Sequence, residues 1–239
     1  MLRKLLFLGA LLFTSGCEST AVLEDLLGST STSSTGALTS DTIASGLREA
    51  LTVGSSRVVS SLGAEDGFFK SAFHIPLPAR LQDARGIADK VGLSGPFDEL
   101  ELKMNRAAEQ ATPKARELFV SAIKEMTFSD VMAIYQGSED SATQYLRRTT
   151  GARLESQMRP VIDESLAQVG AVQTFKGLLK SYNALPLVTP IDADVSGHVM
   201  GYAQQAIFGQ LAKEEAAIRQ DPLKRSTELL RRVFGDNGG

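Results

Sequence analysis

One cysteine and two histidines are all that this chain of 239 residues offers as thiolate or imidazole ligands. A lone Cys17 allows no disulfide within a monomer, so stability has to come from packing. His74 and His198 alone exclude a histidine-rich zinc site. No HExxH, GxSxG, Walker-type or GxGxxG pattern occurs, which removes the local signatures of the common metallopeptidases, serine hydrolases and nucleotide binders. Catalytic groups assembled from distant residues would leave no such trace. Positive charge is also short: 25 basic residues stand against 28 acidic ones, a net charge of −3. That balance lacks the basic footprint of a nucleic-acid binder. Sustained two-residue alternation, the mark of half-buried strands, is missing as well.

What is present begins at the N-terminus. Arg3 and Lys4 precede an uncharged apolar run, Leu5 to Phe13, and Thr14-Ser15-Gly16 lead to Cys17. A basic end, a short apolar core and a small-residue exit make a secretory signal. The run is too short to span a bilayer, which needs about 20 apolar residues. The segment resembles a bacterial lipoprotein signal, which implies cleavage between Gly16 and Cys17 and acylation of the Cys17 sulfur, the nucleophile that takes the lipid. Thr14 stands where such signals usually carry Leu. Glu18 follows the cysteine, and because it is not Asp the resemblance implies onward transport to the outer membrane. Each buried methylene contributes roughly 0.8 kcal/mol and one chain alone holds only marginally, so several chains on one residue would anchor the protein unaided. Removing 16 residues takes two basic groups and no acid, leaving 23 against 28 and a net charge of −5.

Four segments are expected: a signal over 1–16, the lipidated cysteine and a tether over 17–40, a helical domain over 41–235, and a frayed tail over 236–239. The tether rests on the Ser/Thr/Gly-rich stretch 28–40, which has too little to bury to order itself. Apolar residues make up 43% of the chain, enough for a real core. From Asp41 onward the period is helical: Ile43, Leu47, Ala50, Leu51, Val58 and Leu62 recur at steps of three and four. "FFKSAFHIPLP" is the least helical part, since Pro76 and Pro78 push their neighbours extended. A short helix is expected from Leu81 to Val91, ending at Gly92. Pro96 suits a first turn, Thr112 with Pro113 reads as an N-cap and first helical position, and Thr127 with Asp130 reads as a capping box ended by Gly137. Ser138 can cap the next helix. A kink or restart is expected at Pro160. Another stripe runs from Val172 to Tyr182, "NALPLVTPIDAD" reads as a loop, and a long helix from about Asp194 to Gln220 has Gly201 and Gly209 as candidate bends. The fold class is all-α: about eight to ten short helices in an irregular bundle.

Four patterns could carry chemistry. "DADVSG" matches the first half of a calcium loop at Asp192, Asp194, Ser196 and Gly197, but Ala203 occupies the position of the bidentate Glu. Capping of a helix by Asp is the better account. Adjacent carboxylates occur at Glu139-Asp140, Asp163-Glu164 and Glu214-Glu215, yet neighbours on a helix diverge by about 100°. Glu215–Arg219 and Glu228–Arg232 are i,i+4 pairs, which reads as a solvated face. His198, four residues after Asp194, could pair with it. The last helix mixes Lys224, Arg225, Arg231 and Arg232 with Leu229, Leu230, Val233 and Phe234. It could lie on an anionic membrane, although docking by its apolar face is the plainer account.

At "MNRAAEQATPKARELFVSAIKEMTFSDVMAIYQGSEDSATQYLRRTT", with "GLREAL", "DGFF", "IPLP" and "EEAAIRQDPLKRSTELLRRVFG", the chain resembles the bacterial family called domain of unknown function 4197, over residues 41–235. The resemblance implies a mainly helical envelope protein and brings no activity, no cofactor and no catalytic residue. Asn105, Arg106 and Glu109 lie in its most distinctive motif. Asn105 and Glu109 share a helix side and could touch a ligand, while an Asn within a helix usually serves a local hydrogen bond.

No cofactor and no metal are therefore expected. The leading expectation is a lipid-anchored helical module facing the periplasm, binding an envelope protein or an apolar ligand. The rival is a hydrolase acting on envelope polymers through Asp/Glu chemistry.

Overall fold

Helix punctuation in this chain is mostly local, and the computed structural model follows it closely. Residues 39–90, 92–167, 176–177, 179–180, 194–220, 231 and 233 are described. Two units divide the chain, Met1–Ala37 and Leu38–Gly239, and every described residue belongs to the second. The signal, Cys17, most of the tether, the stripe from Val172, the "NALPLVTPIDAD" loop and most of the last helix lie outside the described residues.

Thr39 opens the first helix, α1 (Ser40–Leu62), by accepting from the Thr42 amide at 3.2 Å. Helical structure thus begins one residue before the expected Asp41. The anticipated stripe is buried in full, from Ile43 to Leu62. Helix α2 (Ala79–Asp89) ends at Gly92, φ 73°, where the Gly92 amide donates to Asp89 O at 3.0 Å and the Leu93 amide to Ala88 O at 2.9 Å. Those two bonds form a Schellman close, which needs a left-handed residue and so favours glycine. Only Leu81 of α2 is buried.

Helix α3 (Gly95–Ala111) carries Pro96 in its first turn, and a 3-10 turn (Thr112–Lys114) joins it to α4 (Ala115–Lys124). Thr112 does not cap α4. Its backbone is already helical, φ −54° and ψ −38°, and its buried hydroxyl donates back to Ala108 O at 2.7 Å. An N-cap needs extended backbone, and here the chain never leaves the helical region. Helix α5 (Phe128–Tyr135) starts with the expected capping box: the Asp130 amide donates to Thr127 Oγ1 at 3.1 Å and the Thr127 amide to Asp130 Oδ2 at 3.0 Å.

Helix α6 (Ser141–Ala167) passes through Pro160 without a restart. Proline frees the carbonyl four residues back. Here that residue is Ser156, and both Ser156 and Pro160 are exposed, so water can satisfy the carbonyl. Ser138 spends its side chain on Asp140 and Ser141. Helix α7 (Val195–Gln220) runs unbroken past Gly201 and Gly209. Among the described residues the protein is all-α. Its three longest helices have 23, 27 and 26 residues, so the bundle uses longer rods than expected.

Helix α6 packs against α3, α4 and α7, while α1 packs against α4, α5 and α7. The core they share includes Leu62, Met104, Phe119, Leu146, Leu154, Met158, Ile162 and Ile207. Phe119 and Phe208 meet edge to face, ring centroids 6.1 Å apart. None of the described helices is long and apolar enough to cross a membrane.

Candidate functional site

Between α1 and α2 the chain runs as an irregular strap, residues 63–78. It enters through Gly67, where a Cβ would stand 2.5–2.9 Å from the carbonyl oxygens of Ser61, Leu62 and Ala64. Asp66 beside it holds φ 64°. The strap drives Phe68, Ile75 and Leu77 into the core. Without helix or sheet, its backbone must find other partners, since an unpaired buried amide costs free energy.

Helix α3 supplies them. Asn105, fully buried, accepts from the Ile75 amide at 2.8 Å and donates to Ile75 O at 2.9 Å and to Glu101 O at 2.8 Å. It acts as a strand partner made of one side chain. One turn on, Glu109 Oε1 accepts from the amides of Phe68 and Phe69 at 3.0 and 3.2 Å. Arg106 donates to Glu109 Oε2 and to Asp66 Oδ1, both at 2.7 Å, and stacks 5.7 Å from the Phe69 ring. Its guanidinium is held above its usual proton affinity, first by the Glu109 bond and then by Asp66. Lys70 and Arg106 together hold the Asp66 carboxyl below the ordinary carboxylate range.

Both histidines join this strap. His74 sets Nδ1 against Phe69 O at 2.8 Å and Nε2 against Glu101 Oε1 at 2.5 Å. His198, on α7, places Nε2 at 2.8 Å from Pro76 O. The expected Asp194–His198 pair does not form. Asp194 instead caps α7, accepting from the Gly197 amide at 2.8 Å, and meets Arg159 at 3.2 Å. Gln82 donates to Leu77 O at 2.7 Å.

A second buried acid lies on α7. Glu215 accepts from the Ala142 amide at 3.0 Å, the Thr143 amide at 2.9 Å and the Thr143 hydroxyl at 2.9 Å. These amides belong to the first turn of α6, whose positive end favours a carboxylate. Arg219 completes the set at 3.0 Å and also donates to Ile134 O. Glu215 is therefore not on a solvated face, as its spacing to Arg219 suggested. An acid on the stripe Ala203, Ile207, Leu211, Ile218 was the available signal. Beside it lies a cavity of about 20 Å³ lined by Leu47, Leu51, Leu146, Leu211 and Ile218 among others. That is room for about one water.

Of the residues singled out in the sequence, Asn105, Arg106 and Glu109 come together on the strap. Gly16 and Cys17 lie outside the described residues. Arg231 is exposed and Val233 is buried; the other residues of the expected last helix lie outside the described residues. Glu101, His74, His198 and Glu215 were not foreseen in these roles. Chemically, the clasp is saturated. Among the described residues no buried side-chain polar atom lacks a partner, and no group of three or more His, Cys, Asp or Glu could hold a metal. Glu109 and Glu215 are each bound by two backbone amides and an arginine.

What fold and clasp define is an all-α bundle that secures an irregular strap with buried polar side chains. The family model for proteins of unknown function, DUF4197, matches residues 37–235, and the chain belongs to that family. No curated protein and no solved structure matches it.

Proposed function

We propose that the protein is a lipid-anchored helical module, held in the outer membrane through Cys17 and facing the periplasm, where it binds another envelope protein. The observation that carries this reading is the lone cysteine placed directly after a basic, apolar and small-residue leader. A protein partner is favoured over an apolar ligand because the cavity beside Glu215, at about 20 Å³, is far below the ≈ 300 Å³ of a small-molecule pocket. The recess of about 510 Å³ lined by Ser138, Glu139, Asp140, Ala212, Lys213 and Ala216 lies open to solvent and does not enclose a ligand. At the surface, Ile87 and Leu93 are 63% and 61% exposed around the end of α2, a helix with a single buried residue. The hydrolase reading loses ground because the two buried acids are already consumed.

Cells fed radioactive palmitate test the anchor. The expected product is labelled, begins at Cys17 and sediments with the outer membrane, and Cys17→Ser abolishes the label. An unlabelled cytosolic chain retaining Met1 would overturn the proposal. A photocrosslinker at position 87 tests the partner: one protein should be captured in cells, and Leu93→Asp should abolish the capture.

A further inference from the structure

Helix α2 meets the rest of the fold through one side and leaves the other bare. Leu81 is buried, and Ala84, Arg85 and Ala88 are half-buried, with Arg85 spent on Asp98 and Glu101. Residues at steps of three and four share a helix side. Asp83, Gly86, Ile87 and Lys90 follow that spacing on the side opposite Leu81, and all four are exposed, Ile87 at 63%. Lys90 still holds helical backbone, φ −61° and ψ −20°. Among the described residues neither Asp83 nor Lys90 has an ion pair. A glycine inside an exposed helix weakens it. Nothing stands within 4 Å of a Cβ built at Gly86, so packing within the chain does not call for a glycine there. Close approach by another helix does.

We propose that the protein bound at this surface is a second copy of the chain, docked with α2 antiparallel to α2. The proposal rests on the reading of α2 as a protein-binding surface and names its occupant. The register follows from the four bare positions. Gly86 and Ile87 lie at their centre, with Asp83 three residues before Gly86 and Lys90 three residues after Ile87. A two-fold axis through that centre sets each Ile87 against the other copy's Gly86, and each Asp83 against the other copy's Lys90. Apolar bulk meets an open backbone, and two ion pairs form at once. A parallel pair would set Asp83 against Asp83 and Lys90 against Lys90, so charge selects the antiparallel arrangement. Leu93, past the Gly92 turn and 61% exposed, extends the contact toward the first turn of the other α2. Such an isologous contact closes with two copies and does not propagate. The face of an 11-residue helix is small, and two free molecules would hold it weakly. Anchoring both copies in one membrane raises their effective concentration and offsets that weakness.

The test co-expresses two differently tagged full-length chains, each with the photocrosslinker at position 87. Irradiated cells should yield a product of twice the chain's mass that carries both tags. Asp83→Lys sets like charges against each other at both ends of the contact and should lower the yield about tenfold, as should Lys90→Asp alone. The two substitutions combined in one chain exchange the charges and should restore the yield. Gly86→Gln enters open space in the single chain, so the urea midpoint should not fall, while the product should be lost because the helices no longer approach. Capture of a different polypeptide in place of the chain itself overturns the second copy and leaves the reading of α2 as a protein-binding surface standing. No captured protein of any kind overturns both. A product with both tags that ignores Asp83→Lys, or that the combined variant fails to restore while its urea midpoint is unchanged, overturns the antiparallel contact. The product is read in whichever compartment holds the chain, so a failed palmitate label is a separate result.

Discussion

Replacing Asn105 by Ala separates a structural clasp from a ligand contact. The side chain is fully buried and uses both N–H groups and its carbonyl oxygen on Ile75 and Glu101. Alanine leaves the Ile75 amide and carbonyl without their side-chain partner. Each orphaned buried group costs about 1–3 kcal/mol. The Glu101 carbonyl loses less, because it lies within a helix. Alanine returns about 0.5 kcal/mol of helix propensity. The net loss is then about 2–5 kcal/mol, a large share of the 5–15 kcal/mol typical of a folded domain. Urea unfolding reads this directly: with a slope of about 3 kcal/mol/M, the midpoint should fall by about 1 M. If the strap detaches before the bundle melts, the loss appears instead as faster exchange of the Ile75 amide. A variant with a midpoint within about 0.2 M of wild type and an unchanged Ile75 exchange rate would refute the clasp and return Asn105 to the surface chemistry of a ligand site.

Glu215→Ala strands two amides of α6 and the Arg219 guanidinium, and should cost about 3–5 kcal/mol in urea unfolding; a loss below about 1 kcal/mol would mean that α6 caps itself. Gly54→Ala should stabilise, because the new Cβ would sit 3.8 Å from Ile218 Cδ1, an ordinary contact, within a helix. The gain is about 0.5–1 kcal/mol, or roughly 1–4 °C in Tm, and a lower Tm would show that the site is overpacked. Acid should unfold the protein partly through Asp66, Asp130 and Asp140. Lys70 and Arg106 hold the first carboxyl below its ordinary value, the Thr127 hydroxyl and amide hold the second, and Gln144 and Ser138 hold the third. A group lowered by folding stabilises above its unfolded pKa, about 3.9 for Asp, and that contribution is lost as pH falls through its folded value. Urea midpoints should therefore drop below about pH 4, and Asp130→Asn should flatten part of that drop. An identical slope in the variant would exclude Asp130 as a contributor.

How much of this was legible depended on the distance between partners along the chain. Thr127 with Asp130, and Gly92 after Asp89, act within five residues, and both were readable as helix boundaries. Helical period exposed the core faces of α1, α3, α4 and α6. Pro160 misled because its effect turns on whether the freed carbonyl meets water, and burial is not written at that position. Thr112 misled because Thr-Pro also suits a 3-10 link between two helices. The buried acids were harder. Glu215 answers to amides 72 and 73 residues away, and Asn105 to a backbone 30 residues away. The family resemblance drew attention to Asn105, Arg106 and Glu109, but Glu101 and His74 became partners only once the strap was laid on α3.

Glu109 and Glu215 solve the same problem on different helices. Each carboxylate takes two consecutive backbone amides from another element, Phe68 with Phe69 and Ala142 with Thr143, and each is neutralised by an arginine three or four residues from it on its own helix. Consecutive amides pointing the same way are what a strap entry or a helix start leaves unbonded. A carboxylate with two lone-pair-rich oxygens suits that geometry better than a hydroxyl, and the arginine offsets the cost of its burial. An acid so employed is held by amides of another element and by an arginine of its own helix, so general acid–base work at these positions would require those bonds to break first. The surface of α2, where Ile87 and Leu93 stand clear of the core, is under no such constraint, and it is there that a change of residue should alter binding without altering the urea midpoint.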